Sequence, residues 1–222
     1  QLSNGADVTV TESPGVRVGP AAAAGIASVT GVQHVEPVQH RFAYVGADLQ
    51  DLYGVRPASI TSATALQDAY FVGGTAKALM AKLASQPDAI LVSSETVKDF
   101  QLAPGDLLNL RLQDSRTKKL QTVPFHYAGI VKEFPTAPKD SFFVANADYI
   151  TKATGSDAVG AFLVDTGGTN QASVAADLQR GAGAAVTITD NAQARAQARP
   201  RRPPDDRPGA PRPGARAAAH GR

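Results

Sequence analysis

The sharpest constraint on folding is a change in composition at Asp190. Residues 191–222 contain no Val, Leu, Ile or Phe, yet they hold 8 of the 22 Lys and Arg residues and 6 of the 15 prolines. A segment without large apolar side chains cannot bury enough surface to offset the entropy lost when its backbone is ordered. The folded part must therefore lie within residues 1–190, and we predict that residues 191–222 form a disordered basic tail.

The Arg-, Pro-, Ala- and Gly-rich composition of this tail is typical of GC-rich DNA read in the wrong frame or through a vector junction. We therefore interpret the tail as non-native. A genuine disordered basic arm is the alternative. The chain begins at Gln1 rather than Met, which suggests that it is an excised or processed piece.

Charge and composition exclude several classes of function. The tail carries 8 Arg against 2 Asp, whereas the rest of the chain has 14 Lys and Arg against 18 Asp and Glu, so the folded part is acidic. An acidic domain has no surface for neutralising phosphates, and we expect no nucleic-acid partner. The absence of Cys excludes disulfides and Cys-ligated zinc. No apolar stretch approaches the ~20 residues that cross a bilayer.

Both ends of the folded part show a β-α-β pattern. At the start, alternation over 7–11, an Ala-rich run over 20–29 and β-branched residues over 32–45 predict strand, helix and strand. Pro37 favours an edge strand or a bulge. The end repeats this order, with a strand at 161–164, a helix at 169–180 capped by Thr169, and a strand at 186–189.

The middle of the chain predicts a long β-hairpin. Residues 103–106, Ala-Pro-Gly-Asp, have Pro and Gly where a type II turn needs them. The polar run 113–119 forms the hairpin tip. Alternation then predicts two apolar strand faces, one with Leu108, Leu110 and Leu112 and the other with Val123, Phe125, Tyr127 and Val131. Elsewhere, Thr75 and Asn146 are predicted to cap helices.

No set of residues with catalytic spacing is found. His34, His40 and His126 are interpreted as partly exposed strand residues, because no carboxylate or second imidazole stands at ligand spacing in the sequence. The S-x-x-K match at 115–118 lacks its partner motifs, and the Gly-Gly pair before Thr75 lacks the end of a phosphate loop. We therefore expect no catalytic residue, no metal ligand and no cofactor, and do not expect an enzyme.

Four stretches carry a family resemblance. AILVSSETVKDFQLAPGDLLNLRL at 89–112, followed by FHYAGIVKEFP at 125–135, resembles the extracytoplasmic domain of MacB/FtsX-type ABC transporter permeases. NGADVTVT at 4–11 and GIASVTGVQHVEPV at 25–38 resemble the strand, helix and strand that open this domain. The matching residues of the first two stretches are Ser94, Glu95, Leu102, Pro104, Gly105, Asp106, Leu108, Leu110, Gly129, Ile130 and Val131.

The resemblance implies an α+β fold with mixed sheets. Both chain ends, 1–45 and 140–190, would form a membrane-proximal porter-like β-α-β subdomain, and residues 46–139 would form an inserted, hairpin-rich distal subdomain. If both ends enter neighbouring membrane helices, Asp7 and Asp190 should lie at the same end of the domain.

The resemblance also implies a function. The chain would be the extracytoplasmic domain of a bacterial ABC transporter permease subunit in the cell membrane. It would couple cytoplasmic ATP hydrolysis to substrate export or to an extracytoplasmic partner, without being catalytic itself. Its partners would be the transmembrane helices of its own full-length permease, a separate ATP-binding subunit on the cytoplasmic side and a second permease copy. A cell-envelope hydrolase or a free solute-binding domain are the alternatives.

One surface is a candidate for a partner contact. Arg116, Lys118 and Lys119 lie in the predicted hairpin tip, and polar loops held on a rigid hairpin commonly carry recognition. The alternative interpretation of these residues is a solvated turn.

Overall fold

The structure is a computed structural model and describes residues 6–12, 18–182 and 186–191. The strands are β1 Val8–Glu12, β2 His34–Val45, β3 Asp48–Val55, β4 Phe71–Val72, β5 Ala89–Ser93, β6 Leu107–Gln113, β7 Leu120–Val131, β8 Phe142–Asn146, β9 Ala161–Asp165 and β10 Val186–Asp190. The helices are α1 Ala23–Ala27, α2 Ala76–Ser85, α3 Ser94–Asp99, α4 Ala147–Thr154 and α5 Gln171–Ala182. The predicted α+β class with mixed strand pairing is confirmed.

Six of the strands close into a barrel. Their order is β2-β3-β8-β5-β7-β6, and β6 returns to β2 through the pair Tyr44 and Arg111. The β3-β8 and β5-β7 pairs are parallel and the others are antiparallel. The interior is a buried apolar cluster of Ala43, Val45, Leu52, Ile90, Val92, Leu108, Leu110, Leu112, Val123, Phe125, Tyr127, Phe143, Ala145 and Ile150. Closure pairs strand edges that would otherwise be exposed.

Polar contacts from helices α3 and α4 are found at the two ends of the barrel. At one end, the Gln39 amide donates hydrogen bonds to Ala147 O at 3.3 Å and Thr151 Oγ1 at 2.8 Å in α4. At the other end, the Thr96 hydroxyl of α3 donates to Gln50 Oε1 at 3.0 Å. These bonds provide partners for side chains that are buried where the barrel interior meets a helix.

Two predicted helix caps are confirmed. Thr75 Oγ1 accepts a hydrogen bond from Ala78 N at 3.1 Å, and Asn146 Oδ1 accepts from Asp148 N at 2.9 Å. Thr169 is not a cap. Its hydroxyl donates to Thr166 O at 3.5 Å, and the first helical hydrogen bond of α5 runs from Val174 N to Asn170 O.

A bulge in β7 corrects the prediction that Val131 shares a face with the other apolar residues of this strand. Along β5, Ile90 pairs with Tyr127 and Leu91 pairs with Gly129, so Ala128 is an extra residue. One extra residue moves every following side chain to the opposite face. Val131 accordingly packs in a second cluster outside the barrel, together with Leu79 and Leu83 of α2.

The remaining strands form what we call the terminal sheet, in the order β10, β1, β9 and residues 34–38 of β2. One face is covered by α1 and α5, with Val8, Val10, Phe162, Val174 and Leu178 buried there. The strand β2 is continuous, and residues 39–45 pair with β3 in the barrel. The two parts of the fold therefore share one strand.

Pro37 lies where β2 pairs with β9 alone among the described strands. This agrees with the predicted edge position, because proline has no N–H to donate to a strand on its other side. The strand β8 lies within the range 140–190 that is predicted to join the N-terminal end, and it hydrogen-bonds to β3 and β5 in the barrel.

Candidate interaction sites

The hairpin tip is held by the side chain of Asp114. Its Oδ1 accepts hydrogen bonds from Arg116 N at 2.8 Å and Thr117 N at 2.9 Å, and these bonds lower the pKa of the Asp114 carboxyl. Lys118 N donates to Asp114 O at 2.9 Å, and Lys118 has a φ of 61°. The tip is thus a tight turn of defined geometry.

The tip also packs against the end of α4. Ser115 N donates to Thr154 O at 2.8 Å, and the Gln121 amide donates to Ala153 O. A Cβ on Gly155 would lie 3.0 Å from Arg116 Nε, so the glycine allows Arg116 to cross the end of the helix. The hairpin tip is therefore supported by the C-terminal end of α4.

The three predicted partner-contact residues differ in their surroundings. Arg116 lies over Gly155 and pairs with Asp114 Oδ2 at 3.3 Å, while 71% of its side chain stays exposed. Lys118 and Lys119 are exposed. All three cations are accessible on one rigid turn, and their contact with a partner stays a prediction.

The two ends of the described chain are hydrogen-bonded to each other. Val8 pairs with Asp190 across the β1-β10 ladder, and Asn191 N donates to Asp7 O at 3.1 Å. The Asn191 amide donates to Ala6 O at 2.9 Å and Thr9 Oγ1 at 3.0 Å. The prediction that Asp7 and Asp190 lie at the same end is confirmed. Asn191, the first residue of the predicted tail, is buried, and residues 192–222 lie outside the described residues.

The Asp7 carboxylate fastens β1 to the segment before α5. Its Oδ2 accepts from Thr166 N at 2.9 Å, Thr166 Oγ1 at 3.0 Å and Gly168 N at 3.0 Å, and its Oδ1 accepts from Gln171 Nε2 at 2.9 Å. Burial opposes ionisation of Asp7, but the hydrogen bonds outweigh it and lower the pKa of this carboxyl. We call Asp7, Thr166, Gly168, Gln171 and Asn191 the terminal clamp. Sequence reasoning missed it, because Asp7 is separated from the other members by 159 to 184 residues.

Each of the three described histidines pairs with one carboxylate. His34 Nε2 lies 2.9 Å from Glu36 Oε2, His40 Nε2 lies 2.6 Å from Asp51 Oδ1, and His126 Nδ1 lies 2.8 Å from Asp88 Oδ2. Within the described residues, no group of three metal-binding side chains is present. Sequence spacing could not reveal the pairs with Asp51 and Asp88, which depend on strand pairing and on the turn before β5.

The residues that carry the family resemblance have structural roles. Gly105 has a φ of 91° in the turn before β6, where Asp106 Oδ2 accepts from Ala103 N at 2.7 Å. A Cβ on Gly129 would lie 3.1 Å from Val72 O and from the Leu79 side chain. These residues fix the backbone conformation and form no reactive site, so the resemblance at 89–135 is evidence about the fold.

Comparison with solved structures also points to the fold of this family's extracytoplasmic domain. The periplasmic region of MacB from Actinobacillus actinomycetemcomitans aligns with a TM-score of 0.52 at 13% sequence identity, covering 88% of this chain and 94% of that one. The chain has the fold of the MacB periplasmic region. The extracellular domain of the ABC-type transporter YknZ from Gram-positive bacteria aligns with a TM-score of 0.49 at 15% identity, covering 82% and 98% of the two chains.

The MacB fold is thus established by structure and not by sequence similarity. No protein-family model matches the sequence, and a search of the curated proteins finds no match. Among the described residues, no helix is both long enough and apolar enough to span a membrane. The resemblance drawn from residues 89–135 is confirmed for the fold, and the transporter function that it implies is taken up below.

Proposed function

We propose that this chain is the extracytoplasmic domain of a bacterial ABC transporter permease subunit and lies at the outer side of the cell membrane. The terminal clamp is the observation that carries the proposal. It holds residues 6–8 beside residues 190–191, so two membrane helices attached there would start next to each other. The MacB fold supports the same function, because the solved domain of that fold is the periplasmic region of a transporter.

In this function the domain is a non-catalytic mechanical element. Its partners are the transmembrane helices of its own permease, a separate cytoplasmic ATP-binding subunit and a second permease copy. The terminal sheet would be membrane-proximal and the barrel distal. Because β2 continues from one to the other, a displacement of the membrane helices would be transmitted through a covalently continuous strand. The chain would cross between the two subdomains twice, within β2 after residue 38 and in the segment between α4 and β9.

Site-directed labelling tests the location. Residues 1–222 contain no Cys, so labelling of a cysteine placed at the exposed turn residue Ala47 is read as the signal gained over the unmodified full-length polypeptide. We expect a membrane-impermeant maleimide to label it in intact cells, after opening of the outer membrane where there is one. Labelling only after lysis of the cytoplasmic membrane would refute the extracytoplasmic location.

A second experiment tests coupling. Asp7→Asn together with Asn191→Ala removes the terminal clamp without touching the barrel. We expect reduced transport-linked activity with normal membrane insertion and assembly with the ATP-binding subunit. Asp140→Asn, at an exposed loop residue, is the control. Full activity of the clamp variant would show that the clamp plays no part in coupling.

A further inference from the structure

A cavity of about 330 Å³ lies where the terminal sheet meets the barrel. Thr9, Thr11 and Thr189 of the terminal sheet form one wall, and His40 and Tyr53 of the barrel form another. Thr136, in the loop between β7 and β8, lies at its margin. We call this cavity the junction cleft. Its volume is at the lower end of the range for small-molecule sites, ~300–1,000 Å³.

The first wall presents hydroxyl groups. Thr9 pairs directly with Thr189 across the ladder of β1 and β10, so their side chains lie on the same face of the sheet. Thr11 is two residues further along β1 and shares that face. The alternate residues Val8 and Val10 point into the core under α1 and α5. Thr9 Oγ1 already accepts a hydrogen bond from the Asn191 amide, which also lines the cleft, so Thr11 and Thr189 supply the hydroxyls for a ligand.

The second wall presents an imidazole of fixed orientation. The His40 ring stacks on the Tyr53 ring with centroids 4.9 Å apart and planes 6° apart, and its Nε2 bonds Asp51. No described residue is hydrogen-bonded to its Nδ1. A Cβ on Gly160 would lie 2.4 Å from His40 Cβ, so only glycine lets β9 approach this closely. The ring is thus held in place with Nδ1 as the nitrogen that has no bond to a described residue.

The margin of the cleft carries backbone strain. Thr136 has a φ of 68°, a left-handed conformation that is a clear outlier for a β-branched residue. The Tyr53 hydroxyl donates to Thr136 O at 3.2 Å. Burial, together with the nearby Asp51 charge, raises the pKa of the Tyr53 phenol, so this donor stays protonated. Strain of this kind is concentrated at functional sites.

The charge of the cleft selects the class of ligand. Among the described residues, no Lys, Arg, Asp or Glu lines it, and the one lining imidazole, His40, is already bonded to Asp51. A charged ligand would therefore lose its hydration without gaining an ion pair. Threonine hydroxyls and an imidazole nitrogen instead match a ligand with several hydroxyls. We propose that the junction cleft binds a neutral, hydroxyl-rich ring compound of the size of one monosaccharide.

Ligand titration followed by NMR of the threonine methyl groups tests this proposal. The probes are D-glucose, N-acetyl-D-glucosamine and myo-inositol, and the charged comparators are glucose 6-phosphate and glucuronate. We expect at least one neutral probe to shift the methyl signals of Thr9, Thr11 and Thr189, and the charged comparators to bind more weakly. No shift with any neutral probe up to about 10 mM, a concentration above the ~1 mM Kd of a weak site, would overturn the proposal.

A variant then locates the binding. Thr11→Val with Thr189→Val removes two hydroxyls while keeping the side-chain shape, and loss of two hydrogen bonds should weaken binding about tenfold. Thr122→Val, at an exposed strand threonine of β7, is the matched control and should bind as the unmodified chain does. Equal affinity of the double variant, or tighter binding of the charged comparators, contradicts the assignment. The methyl shifts in the unmodified chain decide the question even if the double variant folds poorly.

Discussion

Replacement of Asp7 by Asn tests the terminal clamp most directly. The change keeps the shape of the side chain but replaces one carboxylate oxygen by an NH₂ group, which cannot accept a hydrogen bond. Asp7 Oδ2 accepts from Thr166 N, Thr166 Oγ1 and Gly168 N, whereas Oδ1 accepts from Gln171 alone. With the NH₂ group in the Oδ2 position, these donors lose their acceptor, whereas in the Oδ1 position the Gln171 amide must rotate to accept; in both cases the negative charge that strengthens the bonds is lost.

The expected loss of stability in Asp7→Asn follows from these contacts. A buried donor that loses its partner costs about 1–3 kcal/mol, and bonds to a charged group are at the upper end of hydrogen-bond strength. Asp7 is only partly buried, so water can replace some of what is lost. We therefore expect Asp7→Asn to lower the free energy of unfolding by about 1–3 kcal/mol at neutral pH. Urea denaturation with an unchanged m-value measures this difference.

The pH dependence gives an independent check. The pKa of Asp7 is lowered in the folded state, so its stabilising contribution is fully present above the unfolded value of ~3.9 and is lost as the pH falls through the folded pKa. The stability difference between the unmodified chain and Asp7→Asn should therefore shrink below about pH 4. Asp140→Asn should show no difference at either pH. Equal stability of Asp7→Asn and the unmodified chain at neutral pH would refute the clamp as a stabilising element.

Three further predictions concern other parts of the molecule. Leu110→Ala should lower the free energy of unfolding by about 2–5 kcal/mol in urea denaturation, because Leu110 is fully buried inside the barrel; a value below ~1 kcal/mol would argue against a packed interior. Replacing Arg116, Lys118 and Lys119 together with Ser should leave the thermal midpoint nearly unchanged, since exposed ion pairs stabilise little, while export by the full-length transporter should fall if the tip contacts a partner. Deleting residues 200–222 should leave the midpoint unchanged in calorimetry, because this segment has no large apolar side chain, and a clear decrease would show that it docks.

Local features of the fold could be predicted from the sequence because their causes are local. Thr75 and Asn146 cap the helices that follow them, and Gly105 supplies the positive φ of its turn. Alternation along β6 correctly predicts the apolar face of Leu108, Leu110 and Leu112. Each of these depends on residues within a few positions of one another, where backbone conformation and side-chain spacing are enough.

The candidate sites could be predicted only in part. The polar composition of residues 113–119 indicates a hairpin tip, but its packing against Gly155 at the end of α4 cannot be seen in that segment. The terminal clamp and the junction cleft are entirely outside the reach of sequence patterns. Their members come from both chain ends and from the barrel. Asp7, Thr9 and Thr11 lie in the stretch at 4–11 that resembles the family, but that stretch does not show which distant residues they contact.

Tertiary structure alone decided how the strands are arranged. Alternation of apolar and polar residues does not indicate which strands become neighbours. It could not predict the parallel pairing of β5 with β7, the position of β8 between β3 and β5, or the return of β6 to β2. The bulge at Ala128, which turns Val131 away from the barrel interior, arises from the pairing with β5 and not from the composition of β7. Local patterns determine which residues can form a strand, but the choice of neighbour depends on burying both faces of the whole sheet at once.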